Sequence, residues 1–255
     1  MTARPWLHRR RLTLLFAVPV ALLLAVAAQL VIRPAAWQHQ AVEALASEAL
    51  VHVDTDLPLV ALTIDDAPSP EVTPGILAVL ARHGVHATFF VIGSHAERHP
   101  ALVDSIGAAG HEVGNHLYLD RPSIKLSDGE FLDALRRTHR AIGSPPAPRW
   151  CRPGSGWADE RLIGLMAGEG YRACLASVYP LDLTVSDDLA ARHFVANARP
   201  GAILVLHDGG PARAGTIQIL EAALPQLRQR GFEVVTVSEL VARTGATGSS
   251  GSASP

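Results

Sequence analysis

The chain has 255 residues, 48% of them hydrophobic and 18% charged, with a formal net charge of −2 at pH 7. That length suits one large domain or two small ones with a sizeable core. The lack of a basic excess argues against nucleic acid as a partner, and two cysteines, Cys151 and Cys174, exclude a disulfide framework.

His8, Arg9, Arg10 and Arg11 precede a nearly unbroken apolar run from Leu12 to Ile32. As a helix the run is long enough to cross a bilayer core of about 30 Å, and the arginines place the N-terminus in the cytoplasm. The expected organisation is a basic segment over 1–11, a single-pass membrane anchor over 12–32 and a domain outside the cytoplasm. A cleaved signal at Ala25-Val26-Ala27 is the alternative and would give a secreted protein. In either case an oxidising exterior permits a Cys151–Cys174 bridge, and free buried thiols are the other outcome.

Residues 33–56 have no clear period and read as a spacer. From Leu57 to about 243, apolar runs of strand length alternate with amphipathic segments, which predicts a parallel sheet flanked by helices. Strands are expected at Leu57–Asp66, His86–Ile92, His111–Asn115, Arg149–Arg152, Tyr171–Ser177, Ala202–Leu206 and Phe232–Val237. Helices are expected near 74–82, 96–109, 128–142, 159–169, 189–198, 216–230 and 238–243. The Gly- and Ser-rich tail over 244–255 reads as disordered. About seven strands in this alternation suit a distorted (β/α) barrel with functional residues at the C-terminal strand ends.

Polar residues do gather at those ends. Asp65 and Asp66 close the first strand, Asn115 and His116 the third, Arg152 the fourth, and His207 and Asp208 the sixth. Successive residues of an extended chain point to opposite sides, so Asp65 and Asp66 are expected to divide between a pocket and its wall. One carboxylate suits metal binding and the other general-base work. His116 and Asp120 are four apart and share a side if the chain turns helically between them, which makes a metal set with Asp66. Arg152 can hold Asp65 through two parallel hydrogen bonds, and His207 can deliver a proton near neutral pH. Each residue also has a plain reading as a cap, ion pair or hydrogen-bonded loop residue, and that reading is retained for His83, His86, His95, His99, His111 and His139.

Four short motifs in this order, Thr63-Ile64-Asp65-Asp66, Gly114-Asn115-His116 with Asp120, Arg152-Pro153-Gly154 and Leu204-Val205-Leu206-His207, resemble the polysaccharide deacetylases of the NodB homology group. The likeness spans about Leu57 to Val241. It implies metal-dependent removal of acetyl groups from N-acetylated sugars. By that resemblance Asp65 is the base, Asp66, His116 and Asp120 hold the metal, Arg152 orients Asp65, and His207 is the acid. Leu206 is expected to line the acetyl pocket and Asp182 to tune His207. Trp157 and Tyr179 are candidates for a sugar-stacking face.

Two departures stand out: the family usually has histidine at the position of Asp120, and a second proline and an aromatic at Gly154 and Ser155. A site with two aspartates is expected to hold zinc, with cobalt, iron or manganese as alternatives. The expected partner is an N-acetylglucosamine polysaccharide or oligosaccharide at the cell envelope, with no nucleic acid. The alternative function is a membrane-tethered glycan-binding protein with a degenerate deacetylase site.

Overall fold

The computed structural model describes residues 48–245, apart from 144, 146, 180, 181, 183 and 184. The expected anchor and almost all of the expected tail lie outside the described residues. Seven strands, β1 (Leu59–Ala67), β2 (Thr88–Val91), β3 (Glu112–Asn115), β4 (Arg149–Cys151), β5 (Tyr171–Ala173), β6 (Ile203–His207) and β7 (Glu233–Val235), form one parallel sheet. Among the described residues eight α-helices alternate with them: α1 (Thr73–His83), α2 (Gly93–Arg98), α3 (Pro100–Ala108), α4 (Asp128–Ala141), α5 (Glu160–Gly168), α6 (Asp187–Asn197), α7 (Gly215–Gln229) and α8 (Val237–Thr244). No helix among the described residues is long and apolar enough to cross a membrane.

The sheet runs β5-β4-β3-β2-β1-β6, and β7 joins the start of β1. Ala61 pairs with both Ile203 of β6 and Val235 of β7, so these strands flank β1 on opposite edges. β1 is thus paired along its whole length, which is why it is apolar on both faces. Its side chains divide by the two-residue period. Val60, Leu62 and Ile64 pack with Ile76 and Leu80 of α1 and Ile219 and Leu220 of α7. Leu59 and Ala61 pack inside the barrel with Phe90, Trp150, Cys174, Ile203 and Val205.

Two expectations are corrected here. The helix expected over 96–109 is two helices, because His99 precedes Pro100 and is driven out of the helical region, to φ −133° and ψ 54°. The stretch over 33–56 is not a spacer throughout: Ala49, Leu50, Val51 and Val53 are buried. Leu50 exchanges backbone hydrogen bonds with Ala173 and Leu175, and Val53 donates to Gly201. Residues 49–53 therefore plug the gap between β5 and β6, and a Val178–Leu204 bridge closes the barrel beside them.

Candidate active site

The interior-facing period continues upward to the C-terminal ends of the strands. On β1, Thr63 and Asp65 follow Leu59 and Ala61; after β4, Arg152 follows Trp150; on β6, His207 follows Ile203 and Val205. Asp65, His116 and Arg152 are almost fully buried. These groups therefore meet at one end of the barrel because three strands keep the same phase.

Asp66 breaks that phase. It takes φ +67°, and the β1–β2 register shifts between Ile64 and Ala67. Such a bulge re-aims a side chain. The two carboxylates do not divide between pocket and wall as simple alternation predicts: Asp66 Oδ1 lies 3.5 Å and Asp65 Oδ2 3.9 Å from His116 Nε2. His95 helps to fix the bulge by donating from Nδ1 to the Asp66 carbonyl at 3.0 Å. Gly209 leaves room for it, since a Cβ there would lie 3.0 Å from Asp66 Cβ.

Arg152 is held by every arm of its guanidinium. Nε donates to the Cys174 carbonyl at 3.1 Å and Nη2 to the Leu175 carbonyl at 2.9 Å. Nη1 donates to Thr63 Oγ1 at 2.8 Å and to Asp65 Oδ1 at 2.5 Å. The guanidinium also lies 4.2 Å from the centre of the Phe90 ring. The expected two-bond fork to Asp65 is not formed, because the other donors are occupied by the β5 end. One oxygen of Asp65 is thereby tied to Arg152 and the other is left facing His116.

His116 Nδ1–H donates to the Arg152 carbonyl at 2.6 Å, which leaves Nε2 toward the two aspartates. Burial works against a charged ring, but the charge of Asp65, the hydrogen bond and charge of Asp66, and the Arg152 carbonyl outweigh it and raise the imidazole to about 9. Burial also opposes ionisation of Asp66, yet His116, His207 and Arg213 hold its carboxyl below the ordinary value. A buried carboxylate, Asp65, and a half-buried one, Asp66, face one imidazole nitrogen, and Asp66 with His116 fits a divalent metal as a donor pair. Among the described residues, no group of three His, Cys, Asp or Glu side chains is arranged to hold one.

Asp120 is the reason. It is exposed, and the helical turn expected between His116 and Asp120 does not form. Asn115 Oδ1 accepts the Leu117 N–H at 2.8 Å, and Leu117 takes φ +61°, which turns the chain away. The loop is then held at both ends. Tyr118 donates to Glu97 and lies under Arg137, and Ser123 Oγ accepts the Gly154 N–H at 2.7 Å. A Cβ at Gly154 would lie 2.2 Å from the Arg121 carbonyl. The glycine at 154 and the course of the Asp120 loop are therefore one structural feature. Asp120→Ala is accordingly expected to keep metal affinity within about threefold of the native protein by calorimetry, whereas Asp66→Ala lowers it by about 10-fold or more.

On the opposite wall, His207 Nδ1–H donates to Asp182 Oδ2 at 2.9 Å, and Asp182 Oδ1 pairs with Arg213 at 3.1 Å. Asp182 thus supports the histidine, and its side chain is only 5% exposed rather than open to a sugar. Leu206 does not line the pocket: it packs in the helix-facing core, and Val205 takes the interior position below His207. Trp157 is 52% exposed and Tyr179 37%, so neither is core and both present apolar surface. Burial raises the Tyr179 phenol above its ordinary pKa, with Arg152 opposing that effect. Cys151 and Cys174 are free; they lie on opposite faces of the sheet, so no bridge can join them. Thr63, Val205 and Arg213 were missed by motif reading. The alternation of β1 and β6 would have shown the first two.

Residues 52–174 match the family model for polysaccharide deacetylase. A peptidoglycan-N-acetylglucosamine deacetylase of Bacillus cereus is 34% identical over 190 residues, covering 72% of this chain and 88% of the relative. The chain belongs to the polysaccharide deacetylase family. A chitooligosaccharide deacetylase of Bradyrhizobium sp. is 36% identical over 194 residues, 70% of this chain and 89% of the relative. Among solved structures, a peptidoglycan N-acetylglucosamine deacetylase aligns with TM-score 0.72 at 30% identity, over 76% of this chain and 92% of that one. A family 4 acetyl xylan esterase from Clostridium thermocellum with a cobalt ion aligns with TM-score 0.69 at 26% identity, over 75% and 94%. A CE4 family pseudoenzyme from Bacillus anthracis aligns with TM-score 0.70 at 27% identity, over 78% and 70%.

Proposed function

We propose that this polysaccharide deacetylase hydrolyses the N-acetyl groups of N-acetylglucosamine glycans at the cell envelope, with a divalent metal. The observation that carries the reading is the meeting of Asp65, Asp66, His116, Arg152 and His207 at one barrel mouth. Asp65, with one oxygen tied to Arg152, has the other free to take a proton from the attacking water. The water oxygen adds to the acetamide carbon, the C–N bond breaks, and His207 gives a proton to the departing amine. Nδ1–H stays bonded to Asp182, and the proton transferred is the one on His207 Nε2. Asp66 and His116 would hold the metal, zinc in the first place with cobalt, iron or manganese as alternatives, and when bound it supplies positive charge to polarise the acetyl carbonyl.

Support for an N-acetylated glycan comes from the relatives, one named for peptidoglycan and one for chitooligosaccharides. The test is acetate release by the full chain from both substrates, after chelation and after return of each metal. Metal-restored release supports the reading. Glycan binding without release under any metal supports the second reading, a glycan-binding protein with a degenerate site, which the outward position of Asp120 favours. The arginines and apolar run over 12–32 support membrane anchoring. Release of the protein from membranes by alkaline carbonate would overturn that part.

Metal binding is expected to depend on pH through His116. Without a cation the imidazole is raised to about 9, so below that pH the metal must displace a proton. Apparent affinity should rise by about tenfold per pH unit between about pH 6 and 8 and level off above about 9. Calorimetry in buffers of different ionisation enthalpy should report about one proton released per metal.

A further inference from the structure

Asp208 fixes the segment that carries Arg213. Its carboxylate is fully buried and accepts hydrogen bonds from Ser69, in the loop after β1, from Thr73, at the start of α1, and from the Gly209 N–H at 2.7 Å. Its own N–H donates to the Asp65 carbonyl at 2.8 Å. Gly209 and Gly210 then turn the chain at φ +105° and +106° into a short 3-10 turn, Pro211–Arg213, which leads into α7. The result is an arginine returned to the mouth with its side chain only 18% exposed. Its Nη1 lies 3.1 Å from Asp182 Oδ1, and its Nη2 lies 4.0 Å from Asp66 Oδ2.

We propose that Arg213 is a positioning residue of this site: it binds the oxygen of Asp182 that His207 does not use, and so fixes the carboxylate that orients the acid histidine. The proposal rests on the deacetylase reading above. The terminal torsion of an aspartate is soft, so a carboxylate held through one oxygen swings. A planar, permanently charged partner on the other oxygen removes that freedom. With Asp182 fixed, His207 keeps its Nδ1–H on Asp182, so that the proton it gives to the departing amine is carried on Nε2, which faces the mouth. The same guanidinium faces Asp66, so one residue sets the spacing between the two walls.

The test compares native full-length protein with Arg213→Ala, Arg213→Lys, Asp182→Asn and the double variant Arg213→Ala/Asp182→Asn. Acetate release from N-acetylglucosamine oligomers is measured, together with the 15N spectrum of His207. Arg213→Ala should lower kcat by about 10- to 100-fold with KM within about twofold. Arg213→Lys should recover part of the loss and serves if the alanine variant does not fold. Removing Arg213 in the Asp182→Asn background should cost less than about threefold more. A rise in KM with kcat unchanged would make Arg213 a substrate contact and overturn the proposal, as would additive losses. If native protein releases no acetate, the functional reading fails by itself. The 15N spectrum still decides the positioning role: an Nδ1–H tautomer in native protein that becomes a mixture in Arg213→Ala sustains it, and an unchanged spectrum sinks it.

Discussion

Asp65→Asn is expected to lower kcat for acetate release by about 10²- to 10⁴-fold, the usual worth of a positioned general base, or about 3 to 5 kcal/mol of transition-state stabilisation. Asparagine is nearly isosteric, and its amide oxygen can still accept from Arg152 Nη1 and sit beside Thr63. What it cannot do is take a proton from water. The loss should therefore fall on kcat, with oligosaccharide affinity and metal content changed by less than about twofold. Retention of near-native turnover would show that Asp65 is not the base. A parallel loss of bound metal would instead make it part of the metal site, which its 3.9 Å approach to His116 makes a real competitor.

Arg152→Met is expected to destabilise the fold by about 3–5 kcal/mol, because it leaves a buried carboxylate without its cation. Arg152 is 2% exposed and Asp65 5%, so water cannot replace the lost partner. Two carbonyls at the end of β5, Cys174 and Leu175, also lose their donors, and these sit where residues 49–53 plug the barrel. At about 2–4 °C per kcal/mol for a domain of this size, Tm should fall by about 6–20 °C. Arg152→Met combined with Asp65→Asn should be less unstable than the sum of the two single changes by about 1 kcal/mol or more, since the double variant no longer buries an unpaired charge. Additive losses in thermal or denaturant unfolding would mean that the carbonyl contacts, and not the ion pair, carry Arg152's structural role.

Much of this protein was determined by sequence alone. The alternation of strand-length apolar runs with amphipathic segments leads to the parallel α/β fold, because a sheet covered by helices on its crossovers needs strands apolar on both faces. The clustering of Asp65, His116, Arg152 and His207 follows too, since every parallel strand presents its C-terminal end at the same mouth. What the tertiary structure decided are the places where local backbone departs from a regular period. The bulge at Asp66 turns both carboxylates toward His116, and the left-handed Leu117 sends Asp120 outward. Residues 49–53 are drawn into a gap that no local pattern announces, whereas the helix break at Pro100 is a local effect of the proline on His99. The phase of β6 sets Val205 and not Leu206 beside His207, which a motif read without its strand face cannot show. Arg213 lies furthest from the sequence's reach: its partners, Asp66 and Asp182, are far along the chain, and only the Asp208 anchor and the turn after it bring the three together.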